Sequence, residues 1–222
     1  MASTTIDTDT ELSAVNAILG AIGQSPITTL GNLTKSTDSD GNNETVVSYD
    51  NPEVAFVYNL LRDATIDTQN EGWHFNIEKG VSFTPDGNGQ IAIANNILKL
   101  DVTDGWTHRN YDVVKRNGYL YDKYDHTDDW SDVTSISLDV VYLIAFENLP
   151  SVFQRYIIYR ASRQAATQLI ANPQLVKLLG QQEGMARAAC MEYECNQGNP
   201  TMFGFPEDTV YHTYQPWRNL RR

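Results

Sequence analysis

Four aspartates near the middle of the chain are the residues best suited to acid–base chemistry: Asp122, Asp125, Asp128 and Asp129. Two aromatic residues, Tyr124 and Trp130, lie among them. Two carboxylates beside aromatic rings can cleave a glycosidic bond, one as the acid and the other as base or nucleophile. A hydrated acidic loop explains the same composition without catalysis. A hydrolase of glycan or peptidoglycan that uses acidic residues in 122–132 is therefore the alternative to a protein without enzymatic activity.

No other pattern of reactive residue types in the sequence indicates catalysis or metal binding. There is no recognisable Ser/His/Asp arrangement, glycine-rich phosphate loop or HExxH motif, and the four histidines are scattered. The acidic segment at 38–44 partly matches a calcium loop, but it is too short for the full EF-hand pattern and also fits a hydrated loop. We therefore predict no catalytic residue, no cofactor and no metal ligand.

The two cysteines, Cys190 and Cys195, lie five residues apart on one predicted helix. That separation rotates their side chains apart by about 140° on a helix with 3.6 residues per turn, so we expect no disulfide between them. We expect both thiols to be reduced, with Cys190 filling part of the core.

The composition is that of a globular and strongly acidic protein. The chain has 222 residues, a net charge of −12, 41% hydrophobic residues and 20% charged residues, which is enough for a sizeable core. No apolar run approaches the about 20 residues that cross a bilayer, and the first residues lack signal-peptide features. We therefore expect a soluble protein made in the cytoplasm. Because an acidic surface repels phosphate, we expect duplex DNA to bind weakly and without sequence specificity.

The first half of the chain contains two segments with helical periodicity. A capping box with Thr8 as N-cap and Glu11 three residues later precedes the first helix, and Gly23 is placed to end it. Asn51 and Pro52 have the residue types that begin a second helix.

Residues 149–199 contain two further amphipathic helices, separated by a break at Asn172-Pro173. Asn172 is expected to end the first of them, and Pro173 to begin the second. Helices joined so tightly should form an αα-hairpin that buries both apolar faces. The face predicted for the last helix consists of Leu175, Leu178, Leu179, Gln182, Ala186, Ala189, Cys190 and Tyr193.

Between the second and third helices, apolar and polar residues alternate as they do on half-buried strands. Trp73, Phe75 and Ile77 alternate in this way, and a second such series follows at 133–146. An Asn117-Gly118 pair between two short apolar runs predicts a β-hairpin. We therefore predict an α+β fold, in which an antiparallel β-rich module is inserted into a bundle of about four helices.

The predicted domain organisation follows from these elements. Residues 1–72 and 147–199 form the helical bundle, and residues 73–146 form the β-rich module. Residues 30–50 are polar and are predicted to form a loop insertion, and residues 200–222 form an aromatic C-terminal tail.

Two sets of residues are candidates for contacts with other molecules. Aromatic and basic residues of the tail are suited to docking on a partner, and arginines on the third helix are suited to ion pairs between subunits. The candidate docking residues are Tyr211, Tyr214, Trp217 and Arg218, and the candidate inter-subunit residues are Arg155, Arg160 and Arg163.

Several blocks of the sequence, in order along the chain, resemble the tail tubular protein A family of short-tailed podoviruses. They are ELSAVN at 11–16, GWHFNIE at 72–78, GYLYD at 118–122, ASRQ at 161–164 and CMEYE at 190–194. Together they span most of the chain, which is more specific than any single motif. The loop at 30–50 and the tail after Pro200 depart from the family pattern.

The resemblance implies a structural protein of the virion tail, and not an enzyme. It implies an adaptor, or gatekeeper, that forms a dodecameric ring between the portal protein and the tail nozzle protein, tail tubular protein B. Tail fibres are a further candidate partner. Viral DNA is expected to pass through the ring, and to be retained by it, without specific binding.

Overall fold

The computed structural model describes residues 10–37, 43–48, 51–103 and 110–198. Its α-helices are α1 (Glu11–Ala21), α2 (Pro52–Gln69), α3 (Ser151–Ala165) and α4 (Pro173–Gly198). Its strands are β1 (Asn32–Thr37), β2 (Asn43–Ser48), β3 (Ile77–Phe83), β4 (Ile97–Val102), β5 (Val113–Arg116), β6 (Tyr119–Asp122) and β7 (Ile136–Tyr142). These elements confirm the predicted α+β class.

The starts of the first two helices are fixed by side chains that cap free backbone N–H groups. Asn51 Oδ1 accepts a hydrogen bond from the N–H of Glu53 at 2.9 Å, and α2 begins at Pro52 as predicted. The predicted capping of α1 by Thr8, which lies outside the described residues, is wrong. Thr10 is instead the N-cap: its Oγ1 accepts from the backbone N–H of Ser13 at 3.2 Å, and its carbonyl accepts from the Ser13 hydroxyl at 2.9 Å. These bonds fix the helix start at Glu11.

The turn between α3 and α4 is tight, as the sequence predicts, but Asn172 has a different function in it. The last turn of α3 continues as a π-helical turn at Ala166–Ile170, and Ala171 has the left-handed backbone conformation that ends it, at φ 52°. Asn172 Oδ1 accepts a hydrogen bond from the N–H of Gln174 at 3.0 Å. Asn172 therefore caps the start of α4 and does not end α3.

Helix α3 is the centre of the helical bundle, since α1, α2 and α4 all pack against it. Phe153, Ile157 and Ala161 of α3 are fully buried. The largest apolar cluster joins α3 to α1 and α2 and includes Leu179 of α4. The bundle is therefore held together by the burial of apolar side chains on one shared helix.

Part of the segment predicted as a loop, 30–50, forms a β-hairpin. Strands β1 and β2 pair antiparallel, with Asn32 opposite Ser48 and Thr37 opposite Asn43. The strands are rich in Thr and Val, whose branched side chains favour extended backbone. That preference outweighs the polar composition on which the loop prediction rested.

The β-rich module contains a three-stranded antiparallel sheet, in the order β3-β7-β4, and a separate β5–β6 hairpin. Ile136, Leu138 and Val140 alternate on the buried face of β7, as predicted, and are 0% exposed. Asn117 and Gly118 have φ values of 52° and 81° and form the predicted hairpin turn between β5 and β6.

Residues 73–76, predicted to be part of a strand, form a turn that connects α2 to β3. The indole N–H of Trp73 donates to the carbonyl of Thr68 at 2.7 Å, which bends the chain back against α2. Asn76 Oδ1 accepts from the backbone N–H of Trp73 at 2.8 Å and closes the turn. Tertiary hydrogen bonds thus override the local alternation, and the strand begins only at Ile77.

Two buried amide side chains join the helical bundle to the β-rich module. Gln69, which is 0% exposed, donates to the carbonyl of Ile144 at 2.9 Å and accepts from the N–H of Ile144 at 2.8 Å. The amide of Asn76 donates to the carbonyls of Gln69 and Tyr142, both at 3.0 Å. The end of α2 is therefore bonded directly to the chain that leaves β7.

We predict that Gln69→Met destabilises the protein by about 2–4 kcal/mol, because it leaves both backbone groups of Ile144 without a partner. Urea denaturation followed by circular dichroism measures the change. The control is Gln24→Met, an exposed position, where we expect a change within about 0.5 kcal/mol. Equal stability of the two variants would show that the Gln69 hydrogen bonds contribute nothing.

Candidate functional site

The acidic segment at 122–132 follows strand β6, and its first carboxylate is buried. Asp122 is 1% exposed. Its Oδ1 accepts hydrogen bonds from the N–H of Tyr124 at 2.9 Å and from the N–H of Asp112 at 3.2 Å. Asp122 therefore fixes the turn after β6, whereas the sequence placed it in a hydrated loop.

Two further carboxylates of this segment also bond within the module. Asp128 accepts a hydrogen bond from the side-chain amide of Gln90 at 2.8 Å. Asp129 accepts from the hydroxyl and the N–H of Ser131, and these bonds lower the pKa of the Asp129 carboxyl. Asp125 is exposed. The contacts that the structure gives to Asp122, Asp128 and Asp129 are those of residues that shape a loop.

The aromatic residues beside these carboxylates do not form one surface. Trp130 is 3% exposed and its indole N–H donates to the carbonyl of Leu120 at 3.0 Å. Its ring packs against Tyr111, with 5.3 Å between the ring centroids. Tyr124, by contrast, is 74% exposed. Trp130 therefore belongs to the core of the module and is not available to stack on a sugar ring.

Two of the three arginines proposed for inter-subunit contacts form ion pairs within the chain. Arg160 pairs with Asp67 of α2, at 3.0 Å, and lies 3.9 Å from Glu71. Arg163 pairs with Glu183 of α4. These pairs join α3 to the helices on either side of it in sequence. Arg155 is exposed and remains available for the predicted contact between subunits.

The C-terminal half of α4 is held against the bundle by one arginine and a small aromatic cluster. Arg187 forms a bidentate pair with Glu71, at 3.0 and 2.8 Å, and donates to the hydroxyl of Tyr156 at 3.0 Å. These bonds raise the pKa of Arg187. Trp73 packs on Phe153 at 4.9 Å between ring centroids, and buried Cys190 fills the same cluster.

Much of the apolar face predicted for α4 is not buried. Leu179 and Cys190 are buried as predicted, but Leu178 is 59% exposed, and Gln182 and Ala189 are also exposed. Met185, which the prediction did not include, is 75% exposed. The helix carries two apolar stripes, and the predicted face combined residues of both. Only one of the stripes packs on α3.

Several predicted sites can be compared with the structure only in part. Among residues 10–37, 43–48, 51–103 and 110–198, no group of three or more His, Cys, Asp or Glu side chains could hold a metal ion. The same part of the chain has no helix long and apolar enough to span a membrane. Most of the partial calcium loop and the docking residues Tyr211, Tyr214, Trp217 and Arg218 lie outside the described residues.

Buried polar side chains are the structural residues that sequence reasoning missed. Gln69, Asn76 and Asp122 are all less than 3% exposed. Each bonds to a backbone group at least ten residues away in sequence, and no local pattern of residue types indicates such partners. The outward stripe of α4 could have been detected, because Leu178 and Met185 recur at a helical interval separate from Leu179 and Cys190.

We predict that Asp122→Ala destabilises the protein by about 1–3 kcal/mol, because two backbone N–H groups lose their acceptor. The matched control is Asp125→Ala in the same acidic segment, where we expect a change within about 0.5 kcal/mol because the residue is exposed. Thermal and urea unfolding measure both. Similar losses in the two variants would contradict the structural function of Asp122.

Both cysteines are free thiols in the structure, Cys190 buried and Cys195 exposed. Burial raises the pKa of the Cys190 thiol to about 11, so at pH 8 about one molecule in a thousand carries the Cys190 thiolate. We therefore predict that iodoacetamide at pH 8 modifies one thiol per folded chain, at Cys195, and two after unfolding. Mass spectrometry of the peptides checks this, and fast labelling of Cys190 in the folded chain would contradict it.

Comparison with known proteins identifies the family of the chain. The family model described as tail tubular protein matches residues 12–200. A comparison with curated proteins gives no match. The matched region includes all four helices except the first residue of α1, and all seven strands. This chain belongs to the tail tubular protein family and is a structural component of the phage tail.

Proposed function

We infer that this protein is the adaptor, or gatekeeper, of the phage tail, and that it forms a dodecameric ring between the portal protein and the tail nozzle protein. The observation that carries this inference is the family match over residues 12–200. A protomer of such a ring needs two different surfaces that bind to each other in neighbouring copies, because only a heterologous contact closes a ring of more than two subunits by simple rotation. The bundle, with a central helix and outer helices exposed on separate sides, is consistent with that requirement.

Charge supports the inference that DNA passes through the ring without binding to it. The chain has 28 acidic residues and 16 lysines and arginines. Arg160, Arg163 and Arg187 are paired with carboxylates of the same chain, which leaves them less available for phosphate. Each free cation that met the DNA backbone would add salt-dependent affinity and slow passage. An acidic channel wall, with its arginines neutralised, would let the genome slide.

The tail and the β-rich module are the parts that we assign to partners. The candidate docking residues remain Tyr211, Tyr214, Trp217 and Arg218, and the partners are the portal protein, the nozzle protein and the tail fibres. A cluster of aromatic residues with an arginine is the composition enriched in protein interfaces. A deletion of residues 211–222 is therefore the variant that separates ring formation from docking.

We predict that the protein forms rings, alone or on the portal protein, and that deletion of 211–222 leaves the protomer folded but weakens portal docking or ring closure. Light scattering gives the mass in solution, and negative-stain imaging gives the symmetry, each with and without portal protein. Circular dichroism of the deletion variant is the control for folding. A wild-type protein that stays monomeric and ignores the portal protein would contradict the adaptor function.

A further inference from the structure

The outward side of α4 carries two large apolar side chains that are mostly exposed. Leu178 is 59% exposed and Met185 is 75% exposed. Gln174, Gln181 and Ala188 are also exposed and lie on the same side, because all five recur at intervals of three or four residues. We call these five residues the α4 outer stripe. No other described element packs on it, since the stripe points away from α3.

The surface of α4 around the outer stripe carries no exposed acidic side chain. Among residues 173–189, every exposed side chain is neutral or basic, and the one acidic residue, Glu183, is largely buried in its pair with Arg163. The exposed basic residues are Lys177 and Arg187. In a chain of net charge −12, a second acidic copy could approach this helix surface with little repulsion.

A groove between α2 and α3 has the complementary properties. It has a volume of about 360 Å³ and is lined by Leu60, Asp63, Ile66, Asp67, Gln164 and Gln168. Asp63 is exposed, and within the described residues neither Asp63 nor Lys177 forms an ion pair. The groove therefore combines apolar side chains with one unpaired carboxylate, Asp63, since Asp67 is paired with Arg160. The α4 outer stripe has exposed apolar side chains, with Lys177 at its edge.

We propose that the α4 outer stripe of one copy binds the α2–α3 groove of the next copy and so forms the contact between subunits of the ring. The proposal rests on the proposed ring and names the surfaces that make it. The two surfaces share no residue, so the contact is heterologous and runs from each copy to the next. Lys177 faces Asp63 across this contact.

The α4 outer stripe is too small to form a stable contact between subunits by itself. From Gln174 to Ala188 a helix extends about 21 Å, and a strip one helix wide, about 10 Å, covers only about 200 Å². A stable contact buries about 800 Å² on each partner. The stripe is therefore the centre of the contact, and other surfaces of the two copies supply the remainder.

The first test replaces the two exposed apolar residues with charges, in the variant Leu178→Glu/Met185→Glu. We expect this variant to stay monomeric, under conditions where the wild type forms rings, with unchanged circular dichroism and melting temperature because neither side chain is buried. The matched control is Tyr124→Glu, which changes an equally exposed apolar residue of the β-rich module and should assemble like the wild type. Mass photometry and negative-stain imaging measure the ring fraction, on the portal protein if the ring requires it.

The second test identifies the surface that α4 meets. Lys177→Glu and Asp63→Lys should each weaken the association between subunits by about fivefold, the effect expected for one exposed ion pair. The variant that carries both changes restores opposite charges across the contact and should recover most of the loss. If the double variant instead lost affinity by the product of the two single effects, Lys177 and Asp63 would not be paired across the contact.

Two other outcomes would overturn the proposed contact without contradicting the proposed ring. Normal rings of Leu178→Glu/Met185→Glu that no longer bind portal protein would assign the stripe to the portal protein. Normal rings with increased protease sensitivity of residues 199–222 would assign it to the chain's own tail. A wild-type protein that never forms rings would overturn the proposed function together with this inference.

Discussion

Two buried amide side chains, Gln69 and Asn76, connect the end of α2 to the strand that is central to the sheet. Gln69 satisfies both backbone groups of Ile144, and Asn76 donates to the carbonyls of Gln69 and Tyr142. A buried backbone group without a hydrogen-bond partner costs free energy of folding. A shift of α2 relative to β7 would break these hydrogen bonds and is therefore unfavourable. The helices and the β-rich module, which have separate apolar clusters, are thereby held in one arrangement.

The same end of α2 also determines where α4 lies. Glu71, just beyond the helix, receives the bidentate pair from Arg187, and His74 donates its backbone N–H to Glu194 at 2.8 Å. Trp73 and Phe153 pack between these bonds. The C-terminal half of α4 is therefore attached by polar contacts and an aromatic cluster, and the helix uses only one of its two apolar stripes for this attachment. The second stripe stays exposed because the contacts that hold α4 to the bundle all lie on the other side of the helix.

Local signals predicted the parts of the fold that depend on neighbouring residues. The Asn51-Pro52 start of α2, the Asn117-Gly118 turn and the alternation along β7 are of this kind, because capping, positive φ and burial of one sheet face act within a few residues. The turn at 73–76 and the position of Asp122 could not be predicted, because they depend on backbone groups of other elements. For the candidate surfaces, the sequence located Arg160 and Arg163 on a helix, but their partners on α2 and α4 follow from how the helices pack.

Acidic charge has opposite consequences for the two contacts that the proposed adaptor function requires. Repulsion of phosphate helps DNA to pass, but the same repulsion acts between copies with a net charge of −12 each. Subunits can associate only where that charge is locally removed, and screening at physiological salt extends over about 8 Å. The exposed surface of α4 between residues 173 and 189 meets this condition, since its acidic residue is paired with Arg163 on the inner side. The ion pair between α3 and α4 thus withdraws negative charge from the surface that we propose for assembly.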